Sequence, residues 1–228
     1  MEIIKVDRIA KPDILVKKAK LWTDDYLQAC ADYEKMPDAK NKTKKRNCEK
    51  KYNHAKVKVQ LKKMFEGKCA YCESHITHID YGDIEHFRPK SKFSKLCFEW
   101  SNFLLACGVC NGAAHKGNKF PEKDGQAMFV NPVEEEPNDL FKFEYDVKTG
   151  TANVLPKNDR GKVTESIIGL NRAELVTHRS KIVRYLAFIA IKASKGDVEA
   201  KKILFDACDK KSEYAAFART LAKKFDIS

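Results

Sequence analysis

The chain has 228 residues, 43% of them hydrophobic and 33% charged, so it can bury a sizeable core and does not have the composition of a disordered protein. Its formal net charge is +12 with a pI near 9.2, which favours an acidic polymer as partner, and nucleic acid is the commonest. The longest apolar run, Tyr185 to Ile191, falls far short of the roughly 20 residues a membrane span needs. The start, Met1-Glu2-Ile3-Ile4-Lys5, lacks the apolar segment of a secretory signal, so a cytoplasmic location is expected.

Residues 1–68 read as helical. Pro12 suits the first turn of a helix that carries Leu15, Ala19, Leu21, Trp22 and Tyr26 at helical spacing. Val57, Leu61, Met64 and Phe65 repeat the pattern. From Lys40 to Lys68 lysine and arginine dominate, opposed only by Glu49 and Glu66. Such a stretch serves either as the solvated face of a helix or as a phosphate-tracking surface.

Residues 69–121 hold the motifs. Cys69-Ala70-Tyr71-Cys72 and Cys107-Gly108-Val109-Cys110 form two C-x-x-C knuckles, the spacing of a closed four-thiolate site. Thiolate softness favours zinc, and four protein ligands leave no position for water or substrate, so this ion is structural. His75 and His78 lie nearby but are read as non-ligands. Cys30, Cys48, Cys97 and Cys208 have no partner pattern and are read as ordinary thiols.

Residues 122–161 read as a loop and then a β-hairpin, with Phe141, Phe143 and Tyr145 alternating and Lys148-Thr149-Gly150 as the turn. Residues 163–228 read as three or four helices. Asn171-Arg172-Ala173-Glu174 resembles a capping box, Leu175, Ile182, Leu186 and Ile189 share a face, and Tyr214, Phe217, Leu221 and Phe225 form a second stripe. The aromatics of these helices, Tyr185 with Phe188 and Tyr214 with Phe217 and Phe225, serve either an internal core or a partner interface. The fold expected is α+β and mainly helical: a ββα-metal core with a four-cysteine zinc, flanked by N- and C-terminal helices.

Around the knuckles stand residues that a bare zinc module does not need: Asp83-Ile84-Glu85-His86-Phe87-Arg88-Pro89-Lys90, then Trp100-Ser101-Asn102-Phe103, then Asn111-Gly112-Ala113-Ala114-His115-Lys116. Hydrolysis of a phosphodiester needs a base for the attacking water and a cation for the charge that builds on oxygen. His86 fits the base, and Glu85 offers a hard oxygen ligand on the opposite side of a strand. If Cys110 opens a helix, Asn111 and His115 at i, i+4 converge on one ion. Asn102 is read as a brace for the loop that carries His86. Arg88, Lys90, Lys116 and Lys119 are read as holding neighbouring phosphates.

The order C-x-x-C, Glu-His, W-x-N-F-L, C-x-x-C-N and a following His or Lys resembles the HNH endonucleases. The strings DIEHFRPK and NGAAHKGNKFP are similar, more narrowly, to the HNH subunits of the Septu anti-phage defence system and to HNH proteins encoded beside some retrons. The resemblance covers residues 69–121, with looser likeness in the flanks. It implies that His86 is the general base, that Asn102 orients its loop, and that Glu85, Asn111 and His115 hold the catalytic ion. Asn111 stands where many of these enzymes have histidine, and its neutral amide oxygen makes Mg²⁺ or Mn²⁺ the expected ion rather than zinc; Glu85 stands where Asp or His is common. The resemblance also implies an ATPase companion of the PtuA type. DNA is the favoured substrate. An RNA such as tRNA, or a non-catalytic zinc-stabilised module that only binds nucleic acid, are the alternatives.

Overall fold

The computed structural model describes residues 6–227; Met1 to Lys5, on which the export-signal expectation rests, lie outside them. The chain is mainly helical with small two-stranded sheets. Its compact units are discontinuous, one built from residues 7–67 and 76–120, the other from residues 68–75 and 121–227 with Val6. They cut across the three consecutive regions 1–68, 69–121 and 122–228, because residues 68–75 leave the segment they interrupt. No helix among the described residues is long and apolar enough to cross a membrane.

In the first unit, α1 (Asp13–Lys35) starts after Pro12, whose φ of −65° and ψ of 141° make it the N-cap rather than a first-turn residue. Leu15, Ala19, Tyr26 and Ala29 form its buried stripe, while Leu21, expected on that stripe, is 53% exposed. The polar helix α2 (Ala39–Glu49) is capped by Asp38, which accepts from the Asn41 N–H at 2.7 Å, and buries no residue. A 3₁₀ turn, Lys50–Tyr52, leads towards α3 (Ala55–Met64), where Val57, Leu61 and Met64 face the core and Phe65 follows them in.

Strands β1 (Asp83–His86) and β2 (Phe103–Ala106) pair antiparallel, with Glu85 opposite Leu104 and His86 opposite Phe103. All four residues of β2 are fully buried, as expected for a strand packed on both faces. Burial of each large apolar side chain here contributes roughly 1.5–3 kcal/mol. The approach to β2 is fixed by polar contacts: the Trp100 indole donates to the Ile9 carbonyl at 2.9 Å, and the Arg8 guanidinium donates to the carbonyls of Ser101 and Phe103. Helix α4 (Gly108–Asn111) is a single turn.

The second unit begins, after Pro121, with a short hairpin of β3 (Glu122–Lys123) and β4 (Gln126–Ala127). Its turn residues Asp124 and Gly125 both have positive φ, the geometry an Asp-Gly pair suits. After α5 (Pro137–Leu140) comes the expected hairpin, β5 (Phe141–Asp146) against β6 (Thr151–Pro156), followed by four helices: α6 (Asp159–Ile168), α7 (Ala173–Ser194), α8 (Val198–Ala207) and α9 (Ala215–Lys224). Asn171 is not a cap. Arg172 holds that position without a side-chain cap, and the Asn171 amide instead accepts from the Val154 N–H and donates to the Val154 carbonyl. Of the C-terminal aromatics, Tyr214 and Phe217 are buried in the unit's own core, whereas Tyr185 and Phe188 are each 55% exposed.

Arg179 ties this unit together. It is 2% exposed; its guanidinium donates to the Ala152 carbonyl on β6, to the Leu170 carbonyl and to Asn171 Oδ1, and lies 5.2 Å from the Phe217 ring centre. Removing it leaves buried carbonyls without donors. Arg179→Met is expected to lower stability by about 3 kcal/mol, read as a shift of the urea midpoint. A shift below a few tenths of that would show that the guanidinium network is not what joins the hairpin to α7.

Candidate active site and metal centre

Strand β1 places Asp83 and Glu85 on one face and His86 on the other. His86 is 4% exposed. Its Nε2 lies 2.9 Å from the Cys97 carbonyl oxygen. A carbonyl can only accept, so Nε2 carries the proton and Nδ1 presents its lone pair. The ring is fixed edge-on by Tyr52 at 4.6 Å and Phe103 at 5.0 Å between centroids. Burial pushes the His86 pKa down to about 3, and the charges of Lys90 and Lys116 act the same way against the opposing effect of the Cys97 hydrogen bond. The imidazole is therefore neutral at any ordinary pH.

Asn102 is buried at the base of this arrangement. Its Oδ1 accepts from the Arg88 N–H at 2.8 Å, and its Nδ2 donates to the carbonyls of Arg88 at 3.0 Å and Leu96 at 3.2 Å. One amide thus binds the backbone just after His86 and the backbone just before Cys97, the two segments whose spacing sets the His86 hydrogen bond.

Glu85 is 5% exposed and meets Lys116, which is fully buried, with Nζ 3.0 Å from Oε1. Lys116 Nζ also lies 3.4 Å from the carbonyls of His86 and Gly117. Its pKa is lowered by burial and raised again by Glu85. Lys116, expected at a phosphate, is turned inward, because the buried Glu85 carboxylate requires a counter-charge more than a solvated phosphate does. Lys90 sits 3.5 Å from Glu49 and over the Tyr52 ring, Arg88 lies over Phe93 and Phe120, and Lys119 is exposed with Nζ donating to the Ala114 carbonyl.

The expected helical pairing of Asn111 with His115 does not occur. Helix α4 opens at Gly108, capped by Cys107, and ends at Asn111; Gly112 has ψ 160° and turns the chain out of the helix. His115 is half-buried in the following turn, its main-chain N–H donating to the Gly112 carbonyl. Asn111 Nδ2 donates to Asp83 Oδ2 at 2.9 Å, which turns Oδ1, the atom able to bind a hard cation, away from that contact. Three contributors have no role assigned to them by the sequence: Tyr52, the Cys97 carbonyl and Asp83. Only Asp83 left a signal, its i, i+2 spacing from Glu85 on a strand.

Each cysteine knuckle is shaped by its own turn. In the first, the Cys69 N–H donates to the Ser74 carbonyl and the Glu73 N–H to the Cys69 carbonyl; in the second, the Cys110 N–H points at Cys107 Sγ at 3.4 Å. The sulfurs of Cys69, Cys72, Cys107 and Cys110 all lie within 4.8 Å of one another. A zinc ion about 2.3 Å from each sulfur spans a tetrahedron of edge about 3.8 Å, so the four thiols fit such an ion. His75 is not a fifth ligand: its Nε2 lies 3.0 Å from the Lys211 carbonyl, and His78 is exposed. No second group of three His, Cys, Asp or Glu donors lies this close among the described residues.

The chain is similar to the Septu protein PtuB. PtuB of Bacillus mycoides (strain KBAB4) is 29% identical over 230 residues, which span 88% of this chain and 70% of that protein. PtuB of Bacillus thuringiensis is 29% identical over 131 residues, 56% of this chain and 46% of its own length. Septu protein PtuA of Bacillus mycoides (strain KBAB4) is 28% identical over 151 residues, 54% of this chain and 20% of PtuA. No protein-family model and no solved structure matches the chain.

Two outcomes follow from this geometry. Elemental analysis of the pure protein should find one zinc per chain, and Cys110→Ser should lose it together with stability, since structural zinc contributes folding free energy directly; a zinc-free, stable wild type would contradict the site. The second concerns pH. The unfolded chain binds a proton at His86 near pH 6.5 and the folded chain only near pH 3, so stability contributed by neutral His86 is present above pH 6.5 and lost as pH falls between these values. Between pH 7 and pH 5 the loss is about 2 kcal/mol, and urea titrations of His86→Gln should lack it. Equal pH dependence in the two proteins would place His86 in a solvated setting.

Proposed function

We propose that this chain is a metal-dependent nuclease of the HNH type, hydrolysing phosphodiester bonds of nucleic acid, with DNA favoured. We further propose that it is the effector subunit of a Septu-like anti-phage defence complex gated by a PtuA-type ATPase. The observation that carries the nuclease reading is the His86 ring: buried, neutral, held at Nε2 by a main-chain carbonyl, with Nδ1 as the basic atom. The antiparallel β1–β2 pair followed by α4 supports a ββα reading of the element that bears it.

In this reading Nδ1 takes the proton of a water as its oxygen bonds to phosphorus and the bond to the leaving oxygen breaks. A phosphodiester beside the ring brings negative charge, which raises the imidazole pKa towards the range where it is an effective base. Glu85, Asn111 and His115 would hold the divalent ion, Mg²⁺ or Mn²⁺, whose charge would stabilise the phosphate and leaving oxygens. Arg88, Lys90 and Lys119 would hold flanking phosphates. Asn102 keeps the base in position.

The similarity to PtuB and PtuA supports the place in a defence system and the ATPase partner. The exposed Tyr185 and Phe188 on α7 supply an aromatic surface of the kind that anchors interfaces. The test is incubation of the chain, alone and with the PtuA-type ATPase, on duplex DNA and on tRNA with Mg²⁺ or Mn²⁺. Cleavage is expected, and His86→Ala should reduce its rate roughly 10²–10⁴-fold while the fold and zinc content are retained. Undiminished cleavage by a folded His86→Ala protein would overturn the assignment of the base.

A further inference from the structure

Helix α2 buries no residue, yet it leads directly to the candidate base. One side of it is committed to α1: Lys44 Nζ lies 2.8 Å from Asp32, Lys45 lies over the Tyr33 ring, and Lys51, just beyond the helix, pairs with Asp25 at 2.8 Å. At 100° per residue, Lys42 and Arg46 point away from that side, and Lys50 in the 3₁₀ turn continues their line. All three are exposed. They stand four residues apart, where like charges repel and weaken a helix. Packing against α1 uses the opposite side of the helix, so it does not account for this stripe.

The stripe ends at the site. Tyr52, two residues after Lys50, is the ring that packs 4.6 Å from His86. Lys90, which follows the Asn102-clamped segment, lies over the same Tyr52 ring, its charge shared with Glu49 at 3.5 Å. From Lys42 to Lys50 the rise is about 12 Å, the length of about three to four nucleotides of one strand. We propose that the outer face of α2, Lys42, Arg46 and Lys50, is a phosphate-binding track that lays a nucleic-acid backbone along the approach to His86. This rests on the nuclease reading and adds to it the surface that receives the substrate.

The probes are a 20-base-pair duplex DNA and an RNA hairpin of similar length, titrated with the full chain without added divalent metal over a range of salt. The triple variant Lys42→Gln, Arg46→Gln, Lys50→Gln is compared with wild type and with an equal loss of charge elsewhere, Lys195→Gln, Lys210→Gln, Lys224→Gln. Each lost phosphate contact lowers the slope of log affinity against log salt by about 0.9 on duplex DNA and about 0.7 on a single strand. The α2 variant is expected to bind at least about tenfold more weakly at low salt, with the slope reduced by two to three contacts, while the control variant binds as wild type does. The probe that shows the larger loss identifies the backbone this face fits.

An α2 variant with unchanged affinity and slope, or a control that loses as much, overturns the track. If the wild type also cuts, the nuclease reading survives that result. A wild type that binds neither probe, and cuts neither when Mg²⁺ or Mn²⁺ and the PtuA-type ATPase are added, overturns both. Binding that depends on α2 without any cleavage keeps the track and removes the nuclease reading.

Discussion

A buried imidazole tied at one nitrogen to a main-chain carbonyl has a single chemical role left to its other nitrogen. In this chain the tie is the 2.9 Å bond from His86 Nε2 to the Cys97 carbonyl. Everything near it serves that distance. Asn102 joins the backbone after His86 to the backbone before Cys97, and β2 supplies Phe103 as one wall of the ring. The 3₁₀ turn after α2 supplies Tyr52 as the other wall. Packing sets the tautomer, and burial keeps the ring uncharged.

The neighbouring charge arrangement follows from the same burial. Glu85 is 5% exposed, and Lys116 places a counter-charge 3.0 Å from it. That ammonium also reaches the His86 carbonyl, so the ion pair braces the backbone of His86. In the proposed metal site, a divalent ion would have to share the Glu85 carboxylate with Lys116. Asn111 is held by Asp83, to which its Nδ2 donates at 2.9 Å, leaving Oδ1 outside that contact.

Much of this was legible in the sequence wherever local chemistry decides the outcome. The paired C-x-x-C spacing forecast four neighbouring thiols, the Phe141–Tyr145 alternation forecast a hairpin, and the Val57–Phe65 period forecast α3. What escaped was decided at a distance. The inward turn of Lys116 depends on a carboxylate 31 positions away in sequence. The end of α4 at Asn111 depends on a Gly112 whose extended conformation no helical spacing reveals. Asn171 looked like a cap because its type and position suited one, but Val154 offered it both a donor and an acceptor. The short β3–β4 hairpin did carry a local signal, Asp124-Gly125, which two-residue strands are too brief to reinforce.

The state of the His86 ring can be observed directly. In uniformly ¹⁵N-labelled protein, long-range proton–nitrogen correlation spectra distinguish a protonated imidazole nitrogen from one with a lone pair, and His86→Gln assigns the signals. A neutral ring protonated at Nε2, unchanged from pH 8 down to pH 5, is the predicted result. A ring protonated at Nδ1, or one that titrates near pH 6.5, would contradict the carbonyl tie and with it the assignment of Nδ1 as the base.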